Sequence, residues 1–572
     1  MLFSSLFAKT AEYEKLAHAL SAPGACALFG LPGSGRAMVY AALAKETGRF
    51  LCIVTPGEAE ATRFAGDLNA LGIPTAVFPA RDYVLRPIEG TAREYEYRRL
   101  SVLGDIVGGR LQAVCVPDEG LTQYTTPRAE FCNNTRTLHP GDTVPRTELT
   151  ALLYNAGYAR RAQVDGPGQF SIRGDIVDLY APDMKLPVRM EFWGDEIDTM
   201  HTFDLATQRR EDPIEKIYVS PAREVLFGSP AEAAELLRAF IKKFRGKKRT
   251  ALEACLATEL AQLDGGALPV NMDKYLAVRY PQPATLLDYF DDPLLVLEEP
   301  ASLREAERAT TYRRGEEISA LLQDGVLAAG LDNLYAENGY LWAQAANHCT
   351  ICAENFARSM PDIPLKDIVN APAHTLPAWG GEVTSLLEDL QPLCNGGAAV
   401  TVLAGTQRAA AGLAADLRTK GLLVTTDPDA APGAGLVQVL PGQLSAGCSV
   451  PFAKYALFTA RAFGISSTQK KKKRNKDALN SLSEIAVGDL VVHQNHGIGR
   501  YAGIQRMAVQ GVTKDYLRIE YDKKDVLYVP VTQLDLLSRY TAPNDSDNVK
   551  LSRLGGSDWA KTRKKVKAAT EQ

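Results

Sequence analysis

The chain has 572 residues, with 46% hydrophobic and 23% charged residues and 64 Lys and Arg against 68 Asp and Glu for a net charge of −4. This is the composition of a globular protein of roughly three or four domains at about 150 residues each, and it excludes both a uniformly basic nucleic-acid coat and an acidic disordered tail as descriptions of the whole. Apolar runs such as Ala25–Phe29, Leu51–Val54 and Leu294–Leu297 fall far short of the ~20 residues that span a bilayer. No positive segment precedes the apolar residues of Met1–Phe7, and nine scattered cysteines read as reduced thiols, so the expectation is a cytoplasmic chain with no membrane partner.

The first elements alternate strand and helix. Ala25–Phe29 runs into the Gly-rich turn Gly30–Gly35, helix formers fill Met38–Glu46, and Leu51–Val54 is the next buried strand, which predicts a βαβ unit in a mainly parallel α/β domain over 1–150. From Tyr158 the period shortens to two. Gln169–Ile172, Ile176–Tyr180 and Val188–Trp193 predict an inserted antiparallel α+β module over 151–222. Helical periodicity in Ala231–Lys243 and Thr250–Leu263, then the strand Leu294–Leu297, predict a return to the first domain over 223–345. A second α/β domain, of no recognisable chemistry, is expected over 346–466, with strands at Ala398–Leu403, Leu422–Thr425 and Tyr455–Thr459. The charged stretch 467–481, containing Lys470–Arg474, reads as a linker. Short strands at Asp489–His493, Gly499–Ile504, Tyr516–Tyr521 and Val526–Val529 predict a small β-barrel over 482–545, and 546–572 reads as the start of a helix without a stop signal.

Gly30-Leu31-Pro32-Gly33-Ser34-Gly35-Arg36-Ala37 lies between a strand and a helix, where a phosphate-binding loop belongs. A working loop needs Lys on the β/γ-phosphates and a Ser or Thr hydroxyl on magnesium; Arg36 and Ala37 stand in those places, and the apolar strand Leu294–Leu297 ends in Glu298-Glu299 rather than an Asp-led acid pair. Gly30, Gly35, Arg36, Ala37, Glu298 and Glu299 therefore form a degenerate nucleotide site, with a decayed structural loop favoured over a working ATP site. Cys349 and Cys352 form a CxxC without a second ligand pair, His493 and His496 lack a Cys or carboxylate cluster in sequence, and Asp195, Glu196 and Asp198 read as a solvated hairpin end. The expectation is no metal, no catalytic residue and no cofactor.

Gly166–Asp178, Pro187–Asp198 and Phe203-Asp204 followed by Gln208-Arg209 resemble the UvrB-homology module of bacterial nucleotide excision repair. Val491–Gly503, Tyr528–Val531 and Leu537–Tyr540 resemble the RNA-polymerase-interacting domain of CarD-like regulators. Both modules on one chain in this order resemble the bacterial transcription-repair coupling factor (Mfd) family. That resemblance implies an α/β multi-domain fold with a UvrB-like domain, its insertion, a second α/β domain and a small SH3/Tudor-like barrel. It also implies that ATP, Mg and most DNA contact belong to a motor beyond Gln572, leaving this portion as an adaptor that binds stalled RNA polymerase and recruits UvrA. By motif position it places the UvrA contact on Arg173, Arg189 and Trp193, though a turn-capping Arg173 and a packed Trp193 fit the pattern equally well. It places the contact with the polymerase β subunit on about Ile504–Val509, with Ile504, Arg506, Met507 and Val509 in that edge. The alternatives are a UvrB-like ATP-dependent protein that processes DNA damage and a CarD-like transcription regulator.

Overall fold

The computed structural model describes residues 2–86, 93–205, 207–269, 271–360, 363–379, 382–460, 488–493, 496–509, 512–522, 525–530, 537–539 and 551–553. The expected linker over 467–481 lies outside the described residues, as does the expected helix over 546–572 except at 551–553, which are not helical. The first sheet has seven strands, in the order Leu365–Asn370, Gly24–Phe29, Cys349–Glu354, Leu294–Glu298, Leu51–Thr55, Ala113–Pro117 and Thr75–Val77. All of its pairings are parallel. Both faces are covered at its centre, which is why its five inner strands are buried throughout and read as apolar runs rather than as alternation. Cys26, Leu28, Leu294 and Val296 meet helices Ala11–Ala19 and Gly33–Thr47, while Ala25, Ala27, Leu295 and Leu297 meet helices Glu94–Val107 and Tyr340–Asn347.

Two expected boundaries move. Cys349–Glu354 and Leu365–Asn370 lie in the first sheet, so the first domain runs past 345 to the turn before His374. Sequence reading treated Cys349 and Cys352 as a thiol motif and so overlooked an apolar strand. At its other end the inserted module begins before 151: Arg136–Leu138 pairs with Ile217–Val219, and Leu149 and Leu153 of helix Arg146–Asn155 pack in the module's own core with Phe170, Val177 and Met190. Between 223 and 345 the chain also builds a helical unit. Helices Pro230–Lys242 and Gly246–Asp264 bury Leu237, Ile241, Leu252 and Leu256 against Tyr83, Tyr275 and Leu331.

The inserted module carries a six-stranded sheet in the order Arg210–Pro213, Glu196–Phe203, Val188–Trp193, Ile176–Tyr180, Gln169–Arg173 and Ala159–Arg160. The second α/β domain holds six strands, with Ala399–Leu403 at its parallel centre between Val437–Leu440 and Tyr455–Thr459. A third unit is a five-stranded antiparallel sheet ordered Val526–Pro530, Val512–Glu520, Gly497–Val509, Leu490–His493 and Leu537–Arg539, with Val491, Leu517, Ile519, Leu527 and Leu537 in one cluster. No described helix is long and apolar enough to cross a membrane.

Candidate recognition surfaces and a filled nucleotide loop

In the inserted module, strand alternation sends Val188, Met190 and Phe192 into the core and leaves Arg189, Glu191 and Trp193 on the opposite face. Cross-strand register puts Ser171, Asp178, Arg189 and His201 in one row and Arg173, Ile176 and Glu191 in the next. Two of the three expected residues therefore share a single anion. Arg173 Nη2 donates to Asp178 Oδ2 at 2.5 Å, and Arg189 donates from Nε to Oδ1 at 2.7 Å and from Nη2 to Oδ2 at 2.9 Å. Asp178 is fully buried, Arg189 is 12% exposed and Arg173 is 45% exposed. Arg189 is further fixed by donation to the Gln208 carbonyl at 3.1 Å and by lying 4.7 Å over the Phe203 ring. One buried carboxylate against two guanidiniums leaves the cluster one positive charge in excess. Trp193, at the end of its strand beside the Gly194 turn (φ +65°), is 84% exposed, so it does not pack. Glu191 pairs with Arg210 on the same face. Asp178, Glu191 and Arg210 were not singled out in the sequence; Asp178 is apparent only once strand register is known.

The antiparallel sheet near the C-terminal side places Ile504, Arg506, Met507 and Val509 in one strand. Gly497–Arg500 of that strand pairs with Leu490–His493 on one side, while the segment from Ile504 to Val509 pairs with Leu517 to Val512 on the other. Between them lies a register shift at Tyr501/Ile504, where Gly503 adopts φ +106°. A bulge of this kind bends a strand away from its former neighbour. Among the described residues, Ile504–Val509 is thus hydrogen-bonded along one edge only, the arrangement that can accept an added strand.

The glycine loop is filled by the protein itself. Arg36, at the position of the phosphate-binding Lys, is 2% exposed. Its Nε donates to the Leu31 carbonyl at 3.0 Å, Nη1 pairs with Glu298 and donates to the Ala353 carbonyl at 3.3 Å, and Nη2 donates to Glu299 at 2.6 Å and Asn355 at 3.0 Å. Tyr40 Oη donates to the other oxygen of Glu298 at 2.6 Å. Burial raises the Glu298 carboxyl above its ordinary range even though Arg36 opposes that shift. Gly30 (φ +89°) is tied to the Glu354 and Ala373 backbone, and a Cβ there would stand 3.1 Å from the Ala371 carbonyl. Ala37 is fully buried in a cluster shared with Leu440, Leu444 and Cys448 of the second α/β domain, and Ser445 donates to Asp67 from N at 2.7 Å and from Oγ at 2.5 Å. The residues present do not fit a magnesium nucleotide: the guanidinium is consumed by protein acceptors, and Ala37 has no oxygen to ligate a metal.

Cys349 and Cys352 are buried free thiols on opposite faces of the first sheet, with burial pushing Cys352 up to about 12, so they do not converge on one ion. Asp195, Glu196 and Asp198 are exposed at the hairpin end. The rings of His493 and His496 lie 4.7 Å apart, tilted by 43°, and Glu94 brings a carboxylate to them, with one ligand atom from each of the three lying within 4.8 Å of the others. Burial, with His496 beside it, pushes His493 down to about 3 and keeps it neutral. Glu94 is remote in sequence and was not foreseen.

Residues 137–225 match the UvrB interaction domain, and residues 485–541 match the CarD-like/TRCF RID domain. The chain is similar over 95% of its length to proteins named transcription-repair-coupling factor: 28% identical to that of Bacillus subtilis, 27% to that of Staphylococcus haemolyticus and 26% to that of Staphylococcus aureus strain MRSA252. It spans about half of the relatives it matches, 47% of each.

Proposed function

We propose that this chain acts in transcription-coupled nucleotide excision repair as a two-ended adaptor, with the inserted module binding UvrA and the small barrel binding the β subunit of RNA polymerase. The observation that carries the reading is the pairing of two matched modules, each presenting an unsaturated recognition surface. On the first, Arg173 and Arg189 are held in place by Asp178 beside an exposed Trp193, so a partner carboxylate meets preorganised forks and an aromatic anchor. On the second, the one-sided strand Ile504–Val509 offers main-chain groups for strand addition, with Arg506 and Met507 supplying side-chain specificity. The cluster Val491, Tyr501, Leu517, Ile519 and Leu527 supports a small SH3/Tudor-like barrel as the fold of this unit. The filled loop around Arg36 supports a structural rather than ATP-hydrolysing role for the first domain.

The test is a bridging experiment. Mixed with purified UvrA and RNA polymerase, the chain should carry both into one complex on a sizing column, and Met507→Asp should remove polymerase while leaving UvrA bound. Independent binding of neither partner would overturn the reading.

A further inference from the structure

Between Leu236 and Leu252 there are seven basic residues and no acidic one, in a chain whose net charge is −4. This stretch is the turn joining helices Pro230–Lys242 and Gly246–Asp264. Arg238, Lys242, Lys243, Arg245, Lys247, Lys248 and Arg249 are all exposed. Arg238 pairs with Asp264 and Arg249 with Glu253, but among the described residues no ion pair joins Lys242, Lys243, Arg245, Lys247 or Lys248 to a carboxylate. The arrangement works against helix stability. The first turn of Gly246–Asp264 has no acidic residue, its N-cap Arg245 makes no side-chain cap, and three cations face the positive end of the helix dipole. An anionic partner would relieve this.

The turn is also held rigidly. Gly246 takes φ +59°, Phe240 and Phe244 pack edge to face at 5.2 Å, and both rings press so closely on Gly330 that a Cβ there would come within 3.0 Å of each. Leu237, Ile241, Leu252 and Leu256 anchor the helices from below. Phe240 and Phe244 are partly buried by each other and by Gly330, and Lys243 Nζ lies 5.9 Å over the Phe240 ring, so the surface offers cations without a free stacking platform, which suits a duplex backbone rather than unstacked single-stranded bases.

We propose that this basic turn contacts the phosphate backbone of duplex DNA, without sequence preference. The choice of DNA rests on the adaptor reading above, in which the chain works on polymerase bound to its template. The test is fluorescence anisotropy of a labelled 30-base-pair duplex with the purified chain between 50 and 200 mM salt, comparing the parent with Lys243→Ala/Lys247→Ala/Lys248→Ala. The variant should bind at least tenfold more weakly at 50 mM, and its log–log salt slope should shrink by about 2 to 3, since each phosphate contact contributes about 0.9. A second variant, with Lys470–Lys473 replaced by Ala, should keep the difference made by the triple substitution. No duplex binding by the parent, equal binding by the triple variant, or binding lost entirely with Lys470–Lys473 would each overturn the proposal. In a parallel co-sedimentation with phosphatidylserine vesicles, a loss of vesicle binding by the triple variant with duplex binding unchanged would overturn it too. UvrA co-elution of the triple variant, expected unchanged, separates failure of this site from failure of the adaptor reading.

Discussion

Replacing Arg36 with Met tests whether the glycine loop has become a structural element. The guanidinium is 2% exposed and is the cation for Glu298, which is itself 2% exposed, so the substitution leaves a buried carboxylate with Tyr40 as its remaining side-chain donor. Removing one partner of such a pair costs about 3–5 kcal/mol. For a domain of this size each kcal/mol lowers the melting temperature by about 2–4 °C, so the first domain should melt about 6–20 °C lower. Glu298 already sits above its ordinary range because of burial, and loss of Arg36 moves it further up. A carboxyl raised in the folded state favours folding more as pH falls, so the deficit should be smaller at pH 5 than at pH 8. Arg36→Met/Glu298→Gln, which removes both charges, should recover at least half of the loss. Calorimetry of the three proteins at both pH values measures this directly. A melting temperature for Arg36→Met within about 1 °C of the parent, or a double variant no more stable than the single, would refute the reasoning.

Asp178→Asn should weaken UvrA binding at least tenfold by freeing both guanidiniums, and should destabilise the module by about 3 kcal/mol, because Arg189 is nearly buried. Trp193→Ala should leave the module's melting unchanged, given 84% exposure, while losing about 2 kcal/mol of binding, roughly 30-fold, as an interface anchor does. Titration calorimetry and a thermal melt separate these two outcomes. Neutral His493 at about 3, with His496 and Glu94 against it, contributes stability that is full above its unfolded value near 6.5 and declines as pH falls below it. At pH 5 the loss is about 2 kcal/mol. Hydrogen exchange in Leu490–His493 should therefore accelerate between pH 7 and pH 5 beyond the intrinsic rate change, and His493→Gln should reduce that excess, the rest coming from His496, which burial also holds below its ordinary value.

Regular local patterns were the legible part of the sequence. Alternation in Val188–Trp193 and Ile176–Tyr180 marks strands with one buried face, and the turn after Phe29 marks a strand entering a helix. Segments whose signal is carried by distant partners were harder to read. Cys349–Glu354 is a strand because two parallel neighbours cover it, and helix Arg146–Asn155 belongs to the inserted module because of what Leu149 and Leu153 touch. Degeneracy of the nucleotide loop was visible in Arg36 and Ala37, but its filling was not, since it depends on Glu298, Asn355 and Ser445, more than 260 residues away or acting through Asp67. Trp193 could have been read as packed or exposed, and only its place at a strand end beside Gly194 decides for exposure.

The most direct test of the adaptor account is co-elution of the purified chain with UvrA on a sizing column, comparing the parent with Arg173→Ala. Arg173 is 45% exposed and its loss leaves Arg189 paired with Asp178, so the fold should survive. The account predicts a stable complex for the parent and none for the variant. Equal complexes for both, or no complex with either, would contradict it.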